Sequence, residues 1–247
     1  MKAIITDLDR TLLLTDKTLS AYSISILKRC REQGLAIFAA TARPERSVVQ
    51  YREQVDFDGI TTMNGARILL PDSVIENGIA HESGQRILSN LIAIPNVRIS
   101  VETSDGIFSN VDIPEWNTRL FDGFPALPTQ GTIYKILLSM DDGIPDNMEA
   151  LLTEDTYYTV ANHYLVQIMS RAATKWKGIQ EMLTPLGISP DDAIYFGDDQ
   201  DDLEPIRRCG LGVAVSNGIP AVLEAADVIT DSNDRDGVAR FLERELL

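Results

Sequence analysis

Short apolar runs that stop at an acid or a hydroxyl, with helical periodicity between them, constrain this chain more than any other feature. Ala3 to Thr6 is continuous and apolar until Asp7, as expected of a buried strand that reaches the edge of a sheet. Ile24, Leu27 and Cys30 then recur at three-residue steps between Ser20, suited to capping a helix, and Gly34, suited to ending one. Leu35 to Ala40 predicts a second strand, Pro44 the first turn of a second helix, and Gly59 to Met63 a third strand ending in Asn64-Gly65. Strand and helix in strict alternation predict a parallel sheet with helical crossovers.

The alternation then breaks. Ala66 to Gly78 reads as a hairpin around Pro71-Asp72-Ser73, His81 to Ile94 as a helix, and Val97 to Val111 as a hairpin turning at Asp105-Gly106. A Pro- and Gly-rich loop from Asp112 to Gly131 precedes a strand at Ile133 to Met140, a helix near Asp146 to Leu152 and strands through Tyr157 to Met169. From Thr174 the alternation resumes: a helix at Trp176 to Leu186, strands at Ala193 to Phe196, Gly212 to Val215 and Val228 to Thr230, and helices between and after them. The expected organisation is a discontinuous α/β domain (1–79 and 170–247) interrupted by an α+β insertion (80–169).

Composition excludes whole classes of function. Thirty-seven acids against 22 Lys and Arg leave a net charge of −15, which argues against nucleic acid and anionic membranes as partners. A local basic pocket for a small anion remains compatible with that charge. The opening residues lack the apolar run of a signal peptide and no stretch is long enough to span a bilayer, so the expected location is cytoplasmic, as a monomer or weak homodimer. Cys30 and Cys209 lack metal-ligand spacing and read as buried thiols; His81 and His163 are far apart, so any metal is expected to be a hard one held by oxygen.

Four features fall at the ends of predicted strands, where open parallel sheets place ligands. They are Asp7 and Asp9 within Asp-Leu-Asp-Arg-Thr, Thr41-Ala42-Arg43, Lys175, and the run Gly197-Asp198-Asp199-Gln200-Asp201-Asp202. Each has a plain alternative: a turn for the paired acids, a helix cap for Thr41, a solvated charge for Lys175, a solvated loop for the acidic run. Together they predict acids facing one another at one sheet edge, where like charges about 4 Å apart repel by roughly 4 kcal/mol. An all-oxygen site beside a hydroxyl and a lysine suits Mg²⁺ and a phosphate.

These motifs, with Met63-Asn64-Gly65-Ala66, Gly212 to Asn217, Ala226 to Thr230 and Asp236-Gly237-Val238, in this order and at these separations, resemble the haloacid dehalogenase superfamily. The layout is similar to its Cof-like phosphatases of subclass IIB. The resemblance implies a Rossmann-like core with a parallel sheet and an inserted α+β cap of type C2B that opens and closes over it. It also implies a Mg²⁺-dependent phosphatase for a small phosphorylated metabolite, a sugar phosphate first. Asp7 is then the nucleophile that becomes an aspartyl-phosphate, Asp9 the acid and later the base, Thr41 a phosphoryl hydrogen-bond partner, and Lys175 the balancing cation. Asp7, the Asp9 carbonyl and Asp198 hold the metal, with Asp202 a further ligand or linked through water. Arg43, Asn64 and Lys175 are the implied substrate contacts, and Glu102, Trp116 and Asn117 the candidates in the insertion.

A count of the implied site finds it short of positive charge, which favours a protonated Asp9 when it must donate. Three departures from the family pattern stand out: Arg10 and Ala42 where glycine is usual, and Asp201 where asparagine is. Arg10 brings the turn into question or offers an anion contact, Ala42 matters only if its φ is positive, and Asp201 adds an acid near the metal. Alternatives are a phosphotransferase or mutase using the same aspartyl-phosphate, a phosphoglycolate-type acid phosphatase, and a phospho-acceptor or phospho-ligand-binding protein.

Overall fold

The computed structural model describes residues 1–127, 130–139, 143–161 and 164–247; His163 and Met140, both named above, lie outside the described residues. The chain divides into two compact units, one of Met1–Ile75 with Thr174–Leu247 and one of Glu76–Ala173.

In the discontinuous unit, strands β1 (Ala3–Thr6), β2 (Ala36–Ala40) and β3 (Gly59–Thr62) alternate with helices α1 (Ala21–Glu32) and α2 (Val49–Arg52). A hairpin follows, of β4 (Arg67–Leu69) and β5 (Val74–Glu76). The returning chain adds α4 (Lys175–Leu183), β12 (Ala193–Gly197), α5 (Leu203–Arg208), β13 (Leu211–Val215), α6 (Pro220–Ala225), β14 (Val228–Thr230) and α7 (Gly237–Leu246). The eight strands order as β14-β13-β12-β1-β2-β3-β4-β5, parallel from β14 to β3 and antiparallel at β3–β4. Because β1 is flanked by β2 on one side and β12 on the other, the crossovers diverge at its C-terminal end and open a crevice there.

Strand periodicity fills both faces of this sheet. Ile4, Ile37, Ala39, Phe196, Val213 and Val215 pack with Leu27, Cys30 and Phe241 on one side. Ile5, Phe38, Ala40, Tyr195 and Ala214 pack with Trp176, Ile179, Met182 and Ile206 on the other. Both cysteines are buried, as their composition predicted, and burial pushes the Cys209 thiol up to about 12.

The inserted unit carries α3 (His81–Leu91) and strands β6 (Arg98–Thr103), β7 (Gly106–Ser109), β8 (Arg119–Leu120), β9 (Ile133–Ser139), β10 (Thr156–Ala161) and β11 (Leu165–Ser170), in the order β10-β11-β9-β6-β7-β8. Ile87, Leu88 and Leu91 of α3 close one face against Ile99, Val101, Ile136, Leu138, Val166 and Ile168. Two expectations change. The helix near Asp146 to Leu152 is a single 3₁₀ turn, Met148–Leu151, with no side-chain cap at Asn147; a nucleus that short has little to propagate it. The helix opened by Pro44 is likewise a 3₁₀ turn followed by the four-residue α2.

Candidate active site

The parallel register brings the predicted residues to one edge. Thr6 is level with Ala39 of β2 and Phe196 of β12, so Asp7, Thr41 and Asp198 all leave the sheet at its C-terminal end. Asp7 N–H donates to the Phe196 carbonyl (2.9 Å), fixing the first acid against the strand that delivers the second. Carboxylate oxygens of Asp7, Asp198 and Asp202, all buried, lie within 4.8 Å of one another.

Lys175 stands among them because Thr174 caps α4, its hydroxyl accepting Lys177 N–H at 3.2 Å, and so places Lys175 at the first position of the helix. Its ammonium donates to Asp7 Oδ1 at 2.8 Å and Asp202 Oδ1 at 2.7 Å. Burial alone would lower the Lys175 pKa, but Asp202 and Asp7 together raise it above its ordinary value, so the side chain stays charged. Burial pushes the Asp7 carboxyl well above its usual range despite Lys175, with Asp202 and Asp198 adding repulsion.

Asp202 is the most heavily bonded member. Oδ1 accepts from Lys175 and from the Tyr195 hydroxyl (2.5 Å), and Oδ2 accepts the N–H groups of Asp198 (2.9 Å) and Asp199 (3.0 Å). A carboxylate offers about four lone-pair positions, and here each has a donor. Asp202 thus clamps the loop that presents Asp198 and anchors Lys175. Asp198 Oδ1 accepts from the Thr11 hydroxyl (2.8 Å), and Oδ2 lies 3.8 Å from Arg10 Nε. Burial raises the Asp198 carboxyl to about 6, with Thr11 opposing it.

Asp9 is held apart from this group. Arg43 donates Nε to Oδ2 (2.6 Å) and Nη2 to Oδ1 (2.8 Å), and Lys17 Nζ donates to Oδ1 (2.7 Å). Partial burial pushes Asp9 up, but the Arg43 and Lys17 hydrogen bonds outweigh it and hold the carboxyl below its ordinary value. The charge count made from sequence is corrected here, because it omitted Arg10 and Lys17. Asp9 faces two cations, Arg43 and Lys17, while Lys175 and Arg10 face the buried acids, and the surroundings of Asp9 favour its ionised form.

The remaining named residues sort clearly. The Thr41 hydroxyl oxygen accepts Arg43 N–H at 3.1 Å, and Ala42 is absent from the positive-φ positions, so the lost glycine carries no strain there. Asn64, in the left-handed region, donates Nδ2 to Asp201 Oδ2 at 2.6 Å while its buried Oδ1 has no partner. Asn217 donates Nδ2 to the Arg10 carbonyl at 2.8 Å. In the inserted unit Glu102 is buried opposite Lys135, Trp116 is half-buried, and Asn117 is the left-handed residue closing a 3₁₀ turn.

Sequence reasoning missed Lys17, Thr11 and Tyr195. Thr11 was visible in the Asp-Leu-Asp-Arg-Thr motif. Lys17 had no local signal; it reaches Asp9 because a tight turn at positive φ is held by the Tyr51 hydroxyl on the Lys17 carbonyl (2.9 Å). Tyr195 reads as one more apolar strand position, and only its hydroxyl betrays its role.

The donor set fits a divalent cation. Asp7 and Asp198 are buried carboxylates whose pKa values desolvation raises, so a cation between them relieves a penalty the fold already carries. Linkage fixes the sign of a test. Both folded-state values lie above the unfolded 3.8, so the EDTA-treated protein loses stability as pH rises through about 6. Thermal melts should give a higher midpoint at pH 5 than at pH 7.5, and a divalent cation added at pH 7.5 should recover the difference; midpoints unaffected by pH and cation would contradict the geometry.

Comparison with known proteins agrees with this arrangement. The profile of the family described as haloacid dehalogenase-like hydrolase matches residues 4–242. Over 96% of this chain and 94% of its own length, the 5-amino-6-(5-phospho-D-ribitylamino)uracil phosphatase YitU of Bacillus subtilis is 27% identical. The phosphoglycolate phosphatase of Methanopyrus kandleri is 25% identical over 98% of this chain and 96% of its own. The sugar phosphatase BT4131, of subclass IIB, superposes with a TM-score of 0.80 over 99% of this chain and 98% of its own at 21% identity, which shows a shared fold. The expected Rossmann-like core with an inserted α+β cap unit is thereby met, and the chain belongs to the haloacid dehalogenase-like hydrolases, as a phosphatase enzyme of that family.

Proposed function

We propose that this protein hydrolyses a small phosphorylated metabolite, a sugar or sugar-alcohol phosphate first, through an aspartyl-phosphate on Asp7 with Mg²⁺ as cofactor. The observation that carries the reading is the buried group of Lys175 between Asp7 and Asp202 with Asp198 beside them, at the mouth of the crevice. Residues 1–79 and 170–247 are the catalytic core in this reading, and 80–169 the cap.

Asp7 and Asp198, with the Asp9 carbonyl, would hold Mg²⁺, which supplies charge neutralisation at the phosphoryl oxygens when bound. Asp202, with four donors in place, acts instead by holding Lys175 and the Asp198 loop. Asp7 Oδ attacks phosphorus in line as the bond to the leaving oxygen breaks, and Asp9 passes its proton to that oxygen. Asp9 is ionised while Arg43 and Lys17 hold it. Donation therefore requires those cations to turn to the incoming phosphate, whose negative charge raises the Asp9 carboxyl. Thr41 uses its hydroxyl proton on a phosphoryl oxygen. Asp9 then takes a proton from water as that water attacks the acyl-phosphate and frees inorganic phosphate.

The sugar-phosphate preference is supported by the sugar phosphatase that shares the fold and by the ribityl phosphate named for the Bacillus relative. The phosphoglycolate phosphatase keeps small phosphorylated acids as the second class. No helix among the described residues is long and apolar enough to cross a membrane, compatible with a freely diffusing substrate. The test is phosphate release from phosphorylated sugars, sugar alcohols and phosphoglycolate, with Mg²⁺ or with EDTA. Mg²⁺-dependent release greatest with a sugar phosphate is expected. Release insensitive to EDTA would reject the cofactor, and phosphoryl transfer to a second alcohol without release would reject hydrolysis in favour of a transferase.

A further inference from the structure

Arg10 occupies a position for which its backbone is poorly suited. Its φ of 59° and ψ of 8° lie in the left-handed region, where glycine is at ease and a residue with a Cβ is not. Two contacts hold it there. The Arg10 carbonyl accepts Asn217 Nδ2 at 2.8 Å, and Arg10 Nη2 donates to the Asn217 carbonyl at 3.0 Å. Asn217 is itself fixed, its Oδ1 accepting Asn233 N–H at 2.9 Å. Anchored at both ends, the guanidinium keeps its Nε 3.8 Å from Asp198 Oδ2. The other Asp198 oxygen accepts from Thr11, and among the described residues no hydrogen-bond donor reaches Oδ2, the oxygen nearest Arg10.

We propose that Arg10 is a resident counter-cation of Asp198 that opposes divalent-metal binding in the empty site and is offset once a phosphate arrives. The inference rests on the reading of Asp198 as a metal ligand given above. The physical basis is simple: a fixed positive charge beside a carboxylate lowers that carboxylate's affinity for a second cation and raises the affinity of the same site for an anion. Metal and phosphate binding are then coupled through Arg10, and reciprocally so. Arg10 is more than half exposed, so the effect is modest and weakened by salt.

The experiment titrates the full chain, stripped with EDTA and dialysed, with Mn²⁺ as the probe, the free ion being read by electron paramagnetic resonance. Arg10→Gln removes the charge while keeping a side chain able to donate to the Asn217 carbonyl; Arg10→Gly removes it and suits the backbone. Both variants should bind Mn²⁺ roughly threefold to fivefold more tightly than the parent at low salt, the gain shrinking in added salt. Inorganic phosphate should tighten Mn²⁺ binding more in the parent than in either variant. Unchanged or weaker Mn²⁺ affinity in both variants overturns the role of Arg10 while leaving the metal site standing. A parent protein that binds no Mn²⁺ overturns the metal reading and this inference with it.

Discussion

Asp7→Asn is expected to hydrolyse phosphate esters on the order of 10⁴-fold more slowly than the parent protein while melting at the same temperature or a few degrees higher. The two halves of that expectation come from one feature. Asp7 is 5% exposed, and burial pushes its carboxyl well above the usual range, so its negative charge is held against the preference of the surroundings. Asparagine keeps the shape, removes the charge and leaves Lys175 paired with Asp202 at 2.7 Å. A residue kept for packing would cost stability when changed and leave turnover alone; a nucleophile does the reverse. Initial rates of phosphate release, measured beside thermal melts, distinguish the two. Turnover within about tenfold of the parent removes Asp7 from the nucleophile's place.

Lys175→Met should be the most destabilising single change in the site, by about 3–5 kcal/mol, because it strands buried carboxylates without their shared cation. Lys175 is 5% exposed, and both partners, Asp7 at 5% and Asp202 at 0%, are equally shut off from water. The sign of the pH dependence follows. Without the ammonium, which opposes the effect of burial on Asp7, the folded-state Asp7 carboxyl rises further above its unfolded value, so the folded state holds its proton more strongly and stability falls as pH rises. Urea denaturation at pH 5 and pH 8 should therefore show the deficit of the variant widening at the higher pH. A deficit below about 1 kcal/mol that is the same at both values would mean that Lys175 is not the counter-ion of the cluster.

The core was legible because its local signals agree with its global role. Apolar runs gave the strands, Ser20 caps α1 through Ser23 N–H as its position implied, and the acids that end the runs meet at one edge. Asp7, Thr41 and Asp198 could be read together because parallel strands deliver their C-terminal residues to one edge whatever their separation in sequence, and Lys175 joins Asp7 from the first position of α4. What sequence could not supply was direction. Nothing in Asp-Leu-Asp-Arg-Thr says that Asp9 faces Arg43 and Lys17 while Asp7 faces Lys175. The charge count around Asp9 therefore left out Lys17, which pairs with it at 2.7 Å. The resemblance implied Asp202 as a further ligand or one linked through water; its engagement with Tyr195 and two backbone N–H groups depends on a turn whose geometry composition does not encode.

Gly65 has a φ of +98°, and a Cβ placed on it would lie 2.3 Å from the Thr174 carbonyl oxygen. The backbone shortly before the chain departs for its insertion is thus pressed directly against the backbone where it comes home. Thr174 caps the helix whose first residue is Lys175. The two ends of the excursion therefore meet through closely packed main chain. A lineage built this way is free to lengthen, shorten or rewrite that excursion while the ammonium that pairs the two buried acids stays put, so the inserted unit can change without disturbing the acidic cluster.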